Sequence, residues 1–167
     1  MKTLFTFLLL LLCSTGFAQK KRAEKVDKNE YQYELETYHN AAATPGYLMV
    51  KVWSYGRRKI LTNNHCMQNA IHGILFKGCA EQGVNAGCAA LVPEGYEAHN
   101  DFFDRFFKGK YLQYVQLTNR GMIDAGDVIK LKGNKYRIGM VMMINLNALR
   151  KYLESENIIK PLDFLFN

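Results

Sequence analysis

The clearest pattern along the chain is a change of hydrophobic period between Gly46 and Gly78, GYLMVKVWSYGRRKILTNNHCMQNAIHGILFKG. Leu48, Val50 and Val52 alternate with Tyr47, Met49, Lys51 and Trp53, which predicts a strand with two unlike faces. Past Gly56 the period lengthens. Met67, Ala70, Ile71, Ile74 and Leu75 fall at helical spacing and form one stripe. Thr62, Asn63 or Asn64 is placed to cap the start of that helix, and Gly78 to end it in a left-handed conformation. A strand feeding so directly into a helix predicts that the two pack on each other.

The flanking pattern completes a small sheet. Tyr31, Tyr33 and Leu35 alternate with Gln32, Glu34 and Glu36, a half-exposed strand. Thr44-Pro45-Gly46 then predicts a turn that pairs it with the next strand. From Cys79 to Asn100 the periodicity dissolves into a long irregular loop. Asn100 or Asp101 next caps a short helix with Phe102, Phe103, Phe106 and Phe107 on one face, ending at Gly109. Tyr111 to Leu117 reads as a β-prone run. Val128, Ile129 and Leu131 predict a strand, Gly133-Asn134 a hairpin loop, and Tyr136 to Ile144 the most apolar and therefore central strand. Asn145 or Asn147 caps a last helix with Leu146, Leu149 and Leu153 in a stripe and Pro161 at its end; Leu162 to Phe166 is expected to fold back on the body. The sum is an α+β domain: a small antiparallel or mixed sheet of about five strands, two main helices and one short aromatic helix.

The N-terminus belongs to a different class. Lys2, the apolar run Leu4 to Leu12 and the small residues Gly16 and Ala18 have the layout of a signal peptide, residues 1–18. The apolar run is short for a membrane span, and Leu12 before Cys13 does not suit lipid attachment. Residues 19–28 form a basic tail expected to be disordered, and 29–167 a single domain. The expected location is periplasmic or secreted, with outer-membrane association as a variant. No transmembrane segment is expected after cleavage.

Charge changes this picture little. The chain carries +7; without the leader it is +6, and from Asn29 onward only +3. That balance, with no basic stripe interleaved with aromatics, excludes nucleic acid as the expected partner. Arg57, Arg58 and Lys59 at the strand–helix junction are the candidate anion contact, although the glycine-rich turn of a phosphate loop is missing. Cys79 and Cys88 are candidates for a disulfide across the glycine-rich loop, leaving Cys66 as a buried thiol; the alternative is three reduced cysteines.

Chemistry is sought with less return. His39, His65, His72 and His99 share no zinc spacing, and no metal or cofactor is expected. His65 and His72 lie off the apolar stripe, which predicts solvated or boundary positions. The acid pairs Asp101/Asp104 and Asp124/Asp127 read as cap and turn residues. A thiol-dependent or other small hydrolase would have to assemble Cys66, or a loop cysteine, with His99 or His72 across the fold. A carbohydrate or lipid-surface binder is the third reading, on the tyrosine-rich first strands and Trp53. The leading expectation is a non-enzymatic envelope module that meets an envelope protein or surface glycan through the loop and Phe102, Phe103, Phe106 and Phe107.

Two stretches carry a resemblance. GYLMVKVWSYG followed by NAIHGILFKG, with the ending YRIGMVMMINLNALRKYLESENIIK, resembles a group of small secreted proteins of gut Bacteroidetes, and the Ala-Gln context after Phe17 is similar to signal peptides of that phylum. More remotely, the layout is similar to periplasmic modules of the flagellar assembly protein T N-terminal type, where a strand leads to an alanine-rich helix on a small sheet. Here only Ala70 stands in the stripe and a cysteine-bearing loop follows. The likeness implies a fold and no activity.

Overall fold

Two long strands pair along their whole length and set the architecture. A computed structural model describes residues 32–38, 45–81, 83 and 86–161. The leader, the basic tail, Tyr31, His39 and the last six residues lie outside these. In chain order the elements are β1 (Tyr33–Thr37), β2 (Tyr47–Arg57), α1 (Asn63–Phe76), α2 (Asn100–Phe106), β3 (Val115–Leu117), β4 (Val128–Lys130), β5 (Lys135–Asn145) and α3 (Leu146–Ser155). The α+β class holds, and of the two sheet types expected, antiparallel or mixed, the antiparallel one is observed.

β2 and β5 pair antiparallel from Tyr47↔Asn145 to Arg57↔Lys135. β1 takes the other edge of β2. The outer edge of β5 is shared by two short strands laid end to end: β3 opposite Met142–Ile144 and β4 opposite Ile138–Tyr136. Residues 118–127 bulge out between them, tied back by Thr118 Oγ1, which donates to the Val141 carbonyl at 2.7 Å. The apolar run from Tyr111 is therefore not one strand. Its first part coils into a 3₁₀ turn that buries Tyr111 and Tyr114, and only Val115–Leu117 pairs.

One face of the sheet is the core. Tyr33, Leu35 and Thr37, then Val50, Val52 and Ser54, then Ile138, Met140, Met142 and Ile144 are buried, the period-two set the alternation predicts. α1 covers this face with Ala70, Ile71, Ile74 and Leu75, all fully buried. Full burial of four aliphatic side chains of this kind contributes roughly 1.5–3 kcal/mol each for the larger three, as an upper estimate. The opposite face keeps Lys51, Trp53, Tyr55, Arg137, Val141 and Met143 half-exposed.

The helix ends follow from local chemistry. Thr62 caps α1, its side chain accepting from the His65 N–H at 3.2 Å. At the other end the N–H of Gly78 reaches back to the Gly73 carbonyl at 2.8 Å, with Gly78 at φ +76°. Asn145 ends β5 and caps α3 through the Ala148 N–H at 3.0 Å. That helix stops at Ser155, well before Pro161.

Gly78 is held twice over, by its left-handed φ and by a carbonyl of Cys88 that an added Cβ would run into. Gly83 is also left-handed, at φ +60°, but meets nothing within 4 Å. Gly78→Ala is expected to lower stability by at least about 2 kcal/mol and Gly83→Ala by about 1 kcal/mol. Urea unfolding of the two variants side by side checks this, and equal losses would show that the close approach costs nothing.

Candidate functional site

The cysteine and histidine chemistry sought in the sequence is buried by the strand–helix packing. Cys66 faces β2 from the first half of α1 and is fully buried. Burial pushes its thiol up, with a hydrogen bond from Ser54 pulling the other way. Asn69, one turn on, is also fully buried and donates from Nδ2 to Ser54 Oγ at 2.9 Å. Ser54, Cys66 and Asn69 thus form a small polar island where α1 crosses β2.

His72 departs from the expectation of a solvated or boundary position: it is 6 % exposed. Its ring lies against Phe76 and Phe107, and its Nδ1 is 2.7 Å from the hydroxyl of Tyr33 on β1. Burial pushes its pKa down to about 3, and the nearby charge of Lys77 adds to the effect. Lys77 itself rests over the Tyr33 ring at 4.1 Å. A neutral imidazole hydrogen-bonded to a tyrosine hydroxyl is an ordinary core group. Periodicity missed it because His72 lies off the stripe that faces the sheet; a second layer of aromatic residues covers that flank. Cys66 and His72 are six residues apart on one helix, roughly 9 Å along its axis, so they do not make a nucleophile–base pair. His99 lies beside Phe103, in a turn before α2.

The loop after α1 is stapled rather than free. Cys79 and Cys88 form a disulfide and also exchange both backbone hydrogen bonds at 2.9 Å. Beyond it, Leu91 and Val92 donate to the carbonyls of Ile74 and Leu75, and Val92 is fully buried. The four phenylalanines do not form one exposed surface. Phe103 and Phe106 are core, at 0 % and 2 % exposure, and Phe102 and Phe107 are half-buried. Phe103 packs edge-on against Phe76, and Phe106 and Phe102 lie against Tyr152 of α3. Single-sided spacing identified a buried face here, the lid on the core.

On the open face of the sheet, Trp53 stands with its six-membered ring over Gly139, where an added Cβ would come within 2.6 Å of Cζ3. Two cations lie over the indole: Arg137 at 4.0 Å and Lys51 at 4.5 Å. Each is also ion-paired, Arg137 to Glu34 at 2.9 Å and Lys51 to Asp127 at 2.7 Å. Tyr55 donates to the same Glu34 at 2.8 Å. The indole is thus engaged by internal partners, which leaves little platform for a sugar ring.

The ends of β2 and β5 are different. Arg57 and Lys135 are directly paired across the strands, Arg58 and Lys59 occupy the turn after β2, Lys130 ends β4, and Lys132 sits in the β4–β5 hairpin. All six are exposed, and among the described residues none has an ion-pair partner. No acidic residue occurs in 57–61 or 129–136. Arg58 rests over the Tyr136 ring at 5.9 Å. α1 begins two residues beyond this turn, its positive end without an acid in the first turn. The sequence pointed to Arg57, Arg58 and Lys59; the β4–β5 hairpin adds the other three.

Among the described residues no group of three His, Cys, Asp or Glu is placed to hold a metal ion, and no helix is long and apolar enough to cross a membrane. No family model, curated protein or solved structure matches the chain.

Two outcomes follow from the buried groups. Below about pH 6.5 the unfolded chain takes up a proton at His72 that the folded chain refuses until about pH 3. The stability this group contributes is complete above pH 6.5 and is lost progressively as the pH falls towards 3. Between pH 6.5 and 4.5 the loss is expected to reach about 2–3 kcal/mol. His72→Gln should flatten the slope of stability against pH in that window, read by urea titration at several pH values; an unchanged slope would assign it elsewhere. Cys66, for its part, should not react with a thiol reagent in the native protein and should react fully once unfolded, as absorbance of the released thiolate reports. Rapid native labelling at Cys66 would reopen the thiol-enzyme reading.

Proposed function

We propose that this chain is an exported, envelope-associated module that works by binding rather than catalysis, and that its partner is anionic. The observation that carries the reading is the convergence of six exposed cations, from two segments some seventy residues apart, on one end of the sheet. The signal-like leader supports export, and the disulfide fits an oxidising compartment. The binding surface moves from Phe102, Phe103, Phe106 and Phe107 to Arg57, Arg58, Lys59, Lys130, Lys132 and Lys135. An unpaired basic cluster raises the local concentration of anions whatever their finer chemistry. The open sheet face lacks that capacity, because Lys51 and Arg137 are already neutralised by Asp127 and Glu34.

Binding to an immobilised sulfated polysaccharide, followed as a function of salt, tests the anionic reading. Neutralising Arg57, Arg58 and Lys59 to Gln is expected to reduce the slope of log affinity against log salt by about two to three. Neutralising Lys108 and Lys151, outside this cluster, should leave the slope nearly unchanged. Equal effects from both sets would mean a diffuse net-charge attraction and no site.

A further inference from the structure

Resting on the anionic reading above, we infer that the partner met by this end of the sheet is the headgroup surface of an anionic lipid bilayer. Three features separate a bilayer from a soluble polyanion. The first is shape. The cations sit on two adjacent turns at one end of the central strand pair, where a polymer would be tracked by a stripe along a groove. A cluster confined to one end suits a plane.

The second is Ile60. It follows Arg57, Arg58 and Lys59 in a turn closed by the Ile60 N–H on the Arg57 carbonyl at 2.9 Å, and it is 48 % exposed. Its neighbour Leu61 turns inward and is buried, so the turn divides one aliphatic side chain for the core and one for solvent. An exposed isoleucine directly after three cations adds nothing to recognition of a sulfated sugar. At a bilayer it enters the boundary between headgroups and acyl chains, while the long basic side chains reach back to the phosphates.

The third is Tyr136, half-buried under Arg58 at the same end. An aromatic ring with a polar tip suits headgroup depth. The positive end of α1 lies behind this turn and adds to the potential. Each basic residue near an anionic leaflet strengthens binding about five-fold, so three together account for roughly a hundred-fold.

The test is co-sedimentation of the protein recovered after export with vesicles of phosphatidylcholine containing 0, 20 or 40 mol% phosphatidylglycerol. Binding is expected to rise steeply with phosphatidylglycerol and to fall about a hundred-fold in the Arg57, Arg58 and Lys59 to Gln variant. Ile60→Asn keeps every charge and is expected to lose about five- to ten-fold on vesicles, with no change on the sulfated polysaccharide. The basic residues of 20–28 are the same in every variant, so the differences report the basic end of the sheet. If Ile60→Asn binds vesicles like the wild type, or if vesicle binding is indifferent to phosphatidylglycerol, the bilayer inference is overturned. Retained polysaccharide binding would then leave the anionic reading standing, whereas loss of both would remove it as well.

Discussion

Everything in this fold hangs on the eleven-residue pairing of β2 with β5. Because side chains alternate, the register decides which residues meet the helices. In the observed register Val50, Val52 and Ser54 face the core together with their partners Met142, Met140 and Ile138. A slip of one residue would carry Lys51, Trp53 and Tyr55 under α1. Trp53 helps forbid the slip from the outside: its ring needs the missing side chain of Gly139, the residue directly opposite. The edge strands and two helices follow from this pair. β1 adds to one edge, β3 and β4 share the other, α1 leaves the end of β2 and α3 leaves the end of β5.

The same packing decides the chemistry of the buried polar groups. A thiol nucleophile with a histidine base needs a lowered thiol pKa and an imidazole that accepts a proton near neutrality. Burial drives both the wrong way, Cys66 where α1 meets β2 and His72 on the flank covered by aromatic residues, raising the thiol and lowering the imidazole. Each then finds a neutral partner, Ser54 for one and Tyr33 for the other. These pairs tie α1 to β2 and to β1. Their role is positional, and they give the hydrolase alternative no support.

What the sequence made legible is what local period and capping control. The strand starting at Tyr47, the helix 63–76, Thr62 among its three candidate caps and the Gly78 stop were readable, because alternation, spacing and one residue in the left-handed region each have a local cause. That the strand runs on through Gly56 to Arg57, where the glycine predicts a break, was not. The central place of β5 was readable from its apolar second half. Non-local packing was not. Nothing local says that β3 and β4 lie end to end on one edge, or that an aromatic layer from α2 turns the flank of α1 into interior and buries His72. The short helix gave an ambiguous signal: four phenylalanines on one face describe a buried face and a sticky surface equally well until Phe76 and Tyr152 are known to stand opposite. Of the basic end, only Arg57, Arg58 and Lys59 were legible; the hairpin pairing supplied Lys130, Lys132 and Lys135.

That basic end runs against the stability of the strands that carry it. Arg57 and Lys135 are directly opposite each other on adjacent strands, a like-charge pair that costs a few tenths of a kcal/mol in a sheet. Arg58, Lys59 and Lys132 in the adjoining turns add to the repulsion. Elsewhere on the same sheet the cations are compensated: Arg137, two residues along from Lys135, holds Glu34, and Lys51 holds Asp127. A glutamate at 57 or 135 would have served the fold better. An uncompensated cluster at one end of an otherwise compensated sheet therefore has no return in folding. On the anionic reading proposed above, its return lies in attraction to an anion outside the molecule, and the exposed isoleucine beside it fits a surface with an apolar interior.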